Sequence, residues 1–241
     1  MSTDRRRFLG WGVAVAAGAA LAPGLRLIEL AQARSPEEAA SALQRWGLLV
    51  DITKCADCDA CVTACREENG WTGHGRPATD PQWIRKVSLR DKRTGFAQTL
   101  PMMCQHCEHP PCVDVCPTGA SFRRADGIVL VDKHICIGCR YCVMACPYGA
   151  RSFVSEEVTG QKADVPRGIG VVEACTFCVQ RVDRGDIPAC VEACNRDGGK
   201  AMVFGDLEDA SSEIRRRLAA GPSTQVRPDL ALNTGVRYQG L

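Results

Sequence analysis

The run Cys136-Ile137-Gly138-Cys139-Arg140-Tyr141-Cys142-Val143-Met144-Ala145-Cys146-Pro147 constrains this chain more than any other stretch. Three cysteines at x2 spacing let one backbone loop curl round an iron–sulfur cube and present three thiolates, with Gly138 easing the tight turn. The fourth, Cys146, lies a turn further on, where this spacing ligates a neighbouring cluster, so one run implies a partner. Three more sets are present: Cys55, Cys58, Cys61 and Cys65; Cys104, Cys107, Cys112 and Cys116; Cys175, Cys178, Cys190 and Cys194. Four sets of four account for all 16 cysteines. Such self-similarity is the mark of duplication.

The arithmetic gives four [4Fe–4S] clusters, and since no set has a cysteine replaced, nothing suggests a three-iron centre. Two other uses of cysteine compete. An exported chain with an even cysteine count ordinarily suggests disulfides. Zinc would need only two Cys-x2-Cys pairs, leaving the third cysteine of each set and the trailing x3 cysteine without a task.

Between the sets, short strands alternate with short helical turns. Residues 47–52 are expected to enter the first set as a strand; 121–124 and 128–132 flank Ala125-Asp126-Gly127 as a hairpin. Helix is expected between the third and fourth cysteines of each set. Pro117 and Pro147, lacking amide protons, should stop it in the second and third; the first and fourth sets carry Arg66 and Asn195 there instead. Two insertions follow: 67–103, with Trp71, Trp83 and an expected hairpin of 84–89 with 95–99, and 147–174, with a Gly/Pro-containing stretch at 165–170. They are expected either to dock partners or to cover cluster edges. Residues 201–204 read as a closing strand, and 207–219 as a helix with Asp206 as N-cap and Gly221 beyond its end. The tail, 222–241, shows little periodicity and is expected to wrap on this subunit or on a neighbour.

Residues 1–33 stand apart. Arg5-Arg6-Arg7-Phe8-Leu9 resembles the twin-arginine export signal, and Ala31-Gln32-Ala33 supplies a small-x-small cleavage pattern before Arg34. The apolar run of about 14 residues is short of the roughly 20 needed to span a bilayer, which sets cleavage above retention as an anchor. That route carries folded proteins, so clusters are inserted before export, which weighs against disulfides. Removing 1–33 takes four arginines and two acids from 30 basic and 28 acidic side chains, leaving 26 of each. That balance gives no reason to expect nucleic acid. Aromatics at 5% imply a thin hydrocarbon core, part of whose place the cofactors take.

Neither a nucleophile–base pair nor a phosphate-cradling glycine loop is apparent, so no autonomous catalyst is expected. His106 and His109 lie inside the second set, where four cysteines already suffice; His74 and His134 carry no motif. Lys54, Lys133 and Arg140, adjacent to cluster cysteines, are candidates for raising local reduction potentials.

Taken together, Cys104-Gln105-His106-Cys107-Glu108-His109-Pro110-Pro111-Cys112 and Cys116-Pro117-Thr118-Gly119-Ala120 resemble the four-cluster ferredoxin subunits of the DmsB, NrfC and HybA type, over residues 46–205. These serve molybdoenzymes, hydrogenases and quinone-linked complexes. The resemblance implies an α+β, duplicated bacterial-ferredoxin-like fold with two pairs of [4Fe–4S] motifs and little regular secondary structure, over 34–241. It implies crossed ligation: Cys55, Cys58 and Cys61 with Cys194; Cys175, Cys178 and Cys190 with Cys65; Cys104, Cys107 and Cys112 with Cys146; Cys136, Cys139 and Cys142 with Cys116. The signal, the absence of a C-terminal membrane helix and the tail at 233–238 look most like the DsrO group, periplasmic ferredoxins of DsrMKJOP-type membrane complexes of dissimilatory sulfur metabolism. An NrfD-like quinone-interacting membrane subunit and a multihaem cytochrome c or other redox subunit are the partners so implied, with membrane association through them.

Overall fold

The computed structural model describes residues 40–241 except 56, 57 and 77, so the expected export signal lies outside the described residues. Its spine is β1 (Trp46–Asp51), which sits between β8 (Met202–Asp206) and β9 (Val236–Gln239). β1 runs antiparallel to β8, with Leu48 opposite Phe204, and parallel to β9, with Val50 opposite Tyr238. A central strand covered on both faces needs apolar residues in succession rather than alternation, and Leu48, Leu49 and Val50 are all buried. Leu48 and Val50 face the main core; Leu49 packs with Leu207 and Ile214 under the C-terminal helix. A Cβ at Gly47 would lie 2.6 Å from Leu207 Cγ, so any other residue there would have to displace that packed side chain.

Three hairpins hang from this spine: β2 (Ile84–Arg90) with β3 (Ala97–Met103), β4 (Ser121–Arg123) with β5 (Val129–Val131), and β6 (Arg151–Phe153) with β7 (Val172–Ala174). The first is longer than expected, because the second strand continues to Met103 and delivers the chain directly to Cys104.

Four helices carry cysteines: α1 (Ala60–Asn69), α2 (Pro111–Asp114), α3 (Tyr141–Ala145) and α5 (Ala189–Asp197); α4 (Val179–Val182) follows Cys178. Their lengths follow the proline rule. Where Pro117 or Pro147 comes after the fourth cysteine the helix is four or five residues long; where Arg66 and Asn195 stand instead, the helices run ten and nine. α1 packs on α5 and α2 on α3, so the first set meets the fourth and the second meets the third.

One expectation needs correction. The helix expected from 207 is α6 (Glu213–Ala220), capped by Ser212, whose hydroxyl accepts from Arg215 N. Asp206 instead ends β8, and its carboxylate accepts from the backbone N–H groups of Arg45 and Glu208, both at 2.9 Å, holding the turn that precedes the helix. The tail, as one of its two expected arrangements, wraps on its own subunit and closes the spine sheet as β9. Tyr238 is fully buried and its hydroxyl donates to Pro101 O at 3.0 Å.

Candidate metal centres

Each longer cysteine helix places its third and fourth cysteines one turn apart on one face, Cys61 with Cys65 and Cys190 with Cys194, so a single helix borders two sites. The sulfurs gather accordingly. The Cys61 thiol, pushed up to about 12 by burial, feels next the charges of Cys194, Cys58 and Cys55 (site A). Cys65, Cys175, Cys178 and Cys190 line one enclosed cavity with Asn69 and Thr176 (site B). Cys104 and Cys107 are raised by burial and then by Cys112 and Cys146 (site C), Cys107 to about 12. Cys116, Cys136, Cys139 and Cys142 line a second cavity with Gly138 (site D).

The sites also fall in a line. Cys190 of B lies in the field of Cys61 of A, Cys175 of B in that of Cys104 of C, and Cys112 of C in that of Cys142 of D. All four cysteines of B are buried, and three of C. At the ends, Cys55 and Cys58 of A are half-buried and Cys139 of D is exposed. Around Cys139 stand Ile137 and Met144, 66% and 73% exposed, with Tyr141 also outward.

The surroundings fit clusters better than single ions. Among the described residues no group of three or more Cys, His, Asp or Glu side chains converges closely enough to hold one metal ion. A tetrahedral zinc site with bonds of about 2.3 Å needs sulfurs about 3.8 Å apart, whereas a cube spreads its thiolates over four corners. All the described cysteines are free thiols rather than disulfides. Several buried polar atoms near these sites have no protein partner: Ser121 Oγ, Tyr148 Oη, Thr176 Oγ1, and Arg151 Nε and Nη1. Cluster sulfurs are the acceptors such donors lack. Thiols raised this far hold their protons without iron, so loading releases protons.

Donors to the fourth cysteines repeat around the structure. Backbone N–H groups of Ser121, Ala150 and Ala201 donate to Cys116, Cys146 and Cys194 at 3.3, 3.4 and 3.4 Å. Cys65 has side chains instead: Trp71 Nε1 donates at 3.3 Å and Asn69 Nδ2 at 3.6 Å, with Asn69 also 3.7 Å from Cys178 Sγ. Gly138 (φ +68°) is required at D, since a Cβ would fall 2.2 Å from Gly170 O. Gly170 belongs to the second insertion, which is anchored by Arg167: bidentate to buried Glu173 (2.9 and 2.7 Å) and donating to Gly70 O at 2.6 Å. That insertion covers the third set.

The histidines are not gathered with the sulfurs. His106 Nδ1 accepts the N–H of Val129 at 3.0 Å and its ring stacks on Phe177 at 3.6 Å, while His74, His109 and His134 are exposed. Of the cations expected to tune potentials, Lys54 pairs with Asp51 at 3.1 Å, Lys133 donates to Pro166 O, and Arg140 lies over the Phe153 ring at 4.6 Å. The sequence reading missed Asn69, Trp71 and Arg151, which lie outside the cysteine motifs. No helix among the described residues is long and apolar enough to cross a membrane.

Two models of 4Fe–4S dicluster domains match the chain, over residues 54–120 and 96–207. The Hdr-like menaquinol oxidoreductase iron–sulfur subunit 1 of Archaeoglobus fulgidus is 43% identical over 270 aligned positions, covering 99% of this chain and 98% of its own. The B subunit of the tetrathionate reductase of Salmonella typhimurium is 38% identical over 247, covering 100% and 90%. The NrfC protein of Escherichia coli K12 is 38% identical over 198, covering 79% and 77%. Two dicluster domains and 16 cysteines account for four [4Fe–4S] clusters.

Proposed function

The chain belongs to the four-cluster ferredoxin family of electron-transfer subunits, and from that premise we propose that it relays single electrons between a quinone-linked membrane subunit and a second redox subunit, catalysing nothing alone. The observation that carries this reading is the line of four sulfur sites, buried in the middle and open at both ends. A [4Fe–4S] cluster supplies a one-electron centre that changes charge with little ligand movement.

The protein's own residues do the rest. Cys55, Cys58, Cys61 and Cys194 hold the centre at A; Cys65, Cys175, Cys178 and Cys190 that at B; Cys104, Cys107, Cys112 and Cys146 that at C; Cys116, Cys136, Cys139 and Cys142 that at D. Amide and indole N–H groups on the fourth cysteines stabilise negative charge and thereby favour reduction. Burial of B and C keeps water and adventitious oxidants from the interior of the line. The apolar rim of Ile137, Tyr141 and Met144 at D suits a docked protein better than open water, and supports contact there. In the tail, Val236–Gln239 pairs with β1 and so is taken up by the spine sheet.

The export signal at 1–33 sets this work in the periplasm, on a membrane complex. The likeness to a menaquinol oxidoreductase subunit supports the quinone-linked partner, and the DsrO-like sequence features support a place in dissimilatory sulfur metabolism, beside an NrfD-like subunit and a multihaem cytochrome. The likeness to the B subunit of a tetrathionate reductase favours a second reading, the electron-transfer subunit of a reductase, which the family resemblance makes a molybdopterin oxidoreductase or a hydrogenase. Isolation of the native protein from solubilised membranes decides: co-purification with a polytopic subunit and a cytochrome supports the first, with a large molybdopterin or hydrogenase subunit the second. Recovery as a lone soluble protein would overturn both in favour of a free carrier.

A further inference from the structure

Arg151 opens β6, opposite Ala174 of β7, and is only 5% exposed. A guanidinium is charged at any working pH, and a buried charge requires compensation. The groups that act most on its charge are cysteine sulfurs rather than carboxylates, Cys112 and Cys104 of site C and Cys142 of site D, the last also as a hydrogen-bond partner of the guanidinium. Nε and Nη1 are buried and form no hydrogen bond with the protein among the described residues. The charge therefore sits between two sites with two donors unspent.

The internal repeat shows the position to be a local departure. Cys116-Pro117-Thr118-Gly119-Ala120-Ser121 aligns with Cys146-Pro147-Tyr148-Gly149-Ala150-Arg151, so Arg151 stands where the second set has a serine. Ser121 opens β4 as Arg151 opens β6, and its Oγ is likewise buried without a partner. The duplicated framework puts a neutral donor at one position and a fixed positive charge at the other.

We propose that Arg151 is a positioning residue for electrons: one charge shared by the centres at C and D, whose Nε–H and Nη1–H donate to cluster or cysteine sulfur and raise both reduction potentials. The proposal rests on the reading of C and D as four-thiolate clusters. Reduction adds one negative charge to a centre and breaks no bond, so a fixed cation nearby favours the reduced state. Lys54, Lys133 and Arg140 are engaged by Asp51, a carbonyl and a ring, whereas Arg151 is a buried cation facing sulfur at this half of the line. Electrons are thereby biased toward the C–D end.

The test is potentiometric titration, followed by electron paramagnetic resonance, of the cluster-loaded full-length protein as wild type, Arg151→Met and Arg151→Lys, with iron per chain measured in each. The expected result is four centres in the wild type, two of which shift to lower potential in Arg151→Met while two stay, with a smaller shift of the same two in Arg151→Lys. Four centres with unmoved potentials, or all four moving alike, would overturn the role of Arg151 alone. Fewer than four centres in the wild type would overturn the ligand reading and this proposal with it. Should Arg151→Met fail to load, a structure of the loaded wild type decides: Nε or Nη1 on a sulfur supports the proposal, and both donors on water or backbone refute it.

Discussion

Replacing Trp71 with phenylalanine isolates one hydrogen bond to one site. Trp71 is buried, its Nε1–H donates to Cys65 Sγ at 3.3 Å, and Arg66 lies over its ring at 5.8 Å. Phenylalanine keeps the ring face and the Arg66 contact while deleting the donor. A hydrogen bond contributes about 1 kcal/mol net, and roughly twice that to a charged acceptor. If the extra electron of the reduced state strengthens this bond by about 1 kcal/mol, one-electron arithmetic at about 59 mV per 1.4 kcal/mol gives about 40 mV. The centre at B should therefore become harder to reduce by about 40 mV, with the other three unmoved. Asn69, still donating to Cys65 and Cys178, limits the loss, and adding Asn69→Leu should deepen it. Potentiometric titration of the loaded variant is the assay. An unshifted B centre, or an equal shift at all four, would refute the reasoning.

Gly138→Ala, forced to φ +68° with its Cβ on Gly170 O, should cost the protein the centre at D, read as the loss of one cluster's iron per chain. Glu173→Gln strands the buried Arg167 and should destabilise by about 3–5 kcal/mol, measured as a lowered unfolding midpoint. His106 is pushed down to about 3 by burial and then by the Arg151 charge, so it is neutral when folded and protonates near pH 6.5 only when unfolded. The unfolded state thus binds the extra proton, stability falls as pH drops below about 6.5, and His106→Gln should flatten that slope in denaturant titrations. Changing Arg5, Arg6 and Arg7 to lysine keeps charge but removes the guanidinium fork, and should leave the protein in the cytoplasm by fractionation.

What the sequence made legible was whatever local chemistry decides. Pro117 and Pro147 lack amide protons, and the helices they follow stop short; Asp126-Gly127 turns the hairpin it was expected to turn, with Gly127 at φ +88°. Asp206 was misplaced because an aspartate before an apolar residue suits a cap and a turn equally, and Ser212 stood available six residues on. β9 was missed because its partner is distant in sequence: Val236 and Tyr238 are buried only by β1 and the core beside it. Arg151 was illegible for a related reason. An arginine in a short strand reads as a solvated charge until the fold encloses it with Cys104, Cys112 and Cys142.

The parallel pairing of β9 with β1 also bears on synthesis. Arg45 donates to Asn233 O across 188 residues, and Leu48 stands beside Val236, so the spine sheet is completed only once a segment far along the chain from β1 has been made. Until then β1 has an open edge, and the cavity against Leu48 that holds Cys65, Cys175, Cys178 and Cys190 lacks part of its surrounding sheet. Pairing strands so far apart in sequence is slow, and its loop-closure cost is recovered only when β9 docks on β1. A chain lacking β9 thus presents an unpaired β1 edge beside the cavity that holds Cys65, Cys175, Cys178 and Cys190.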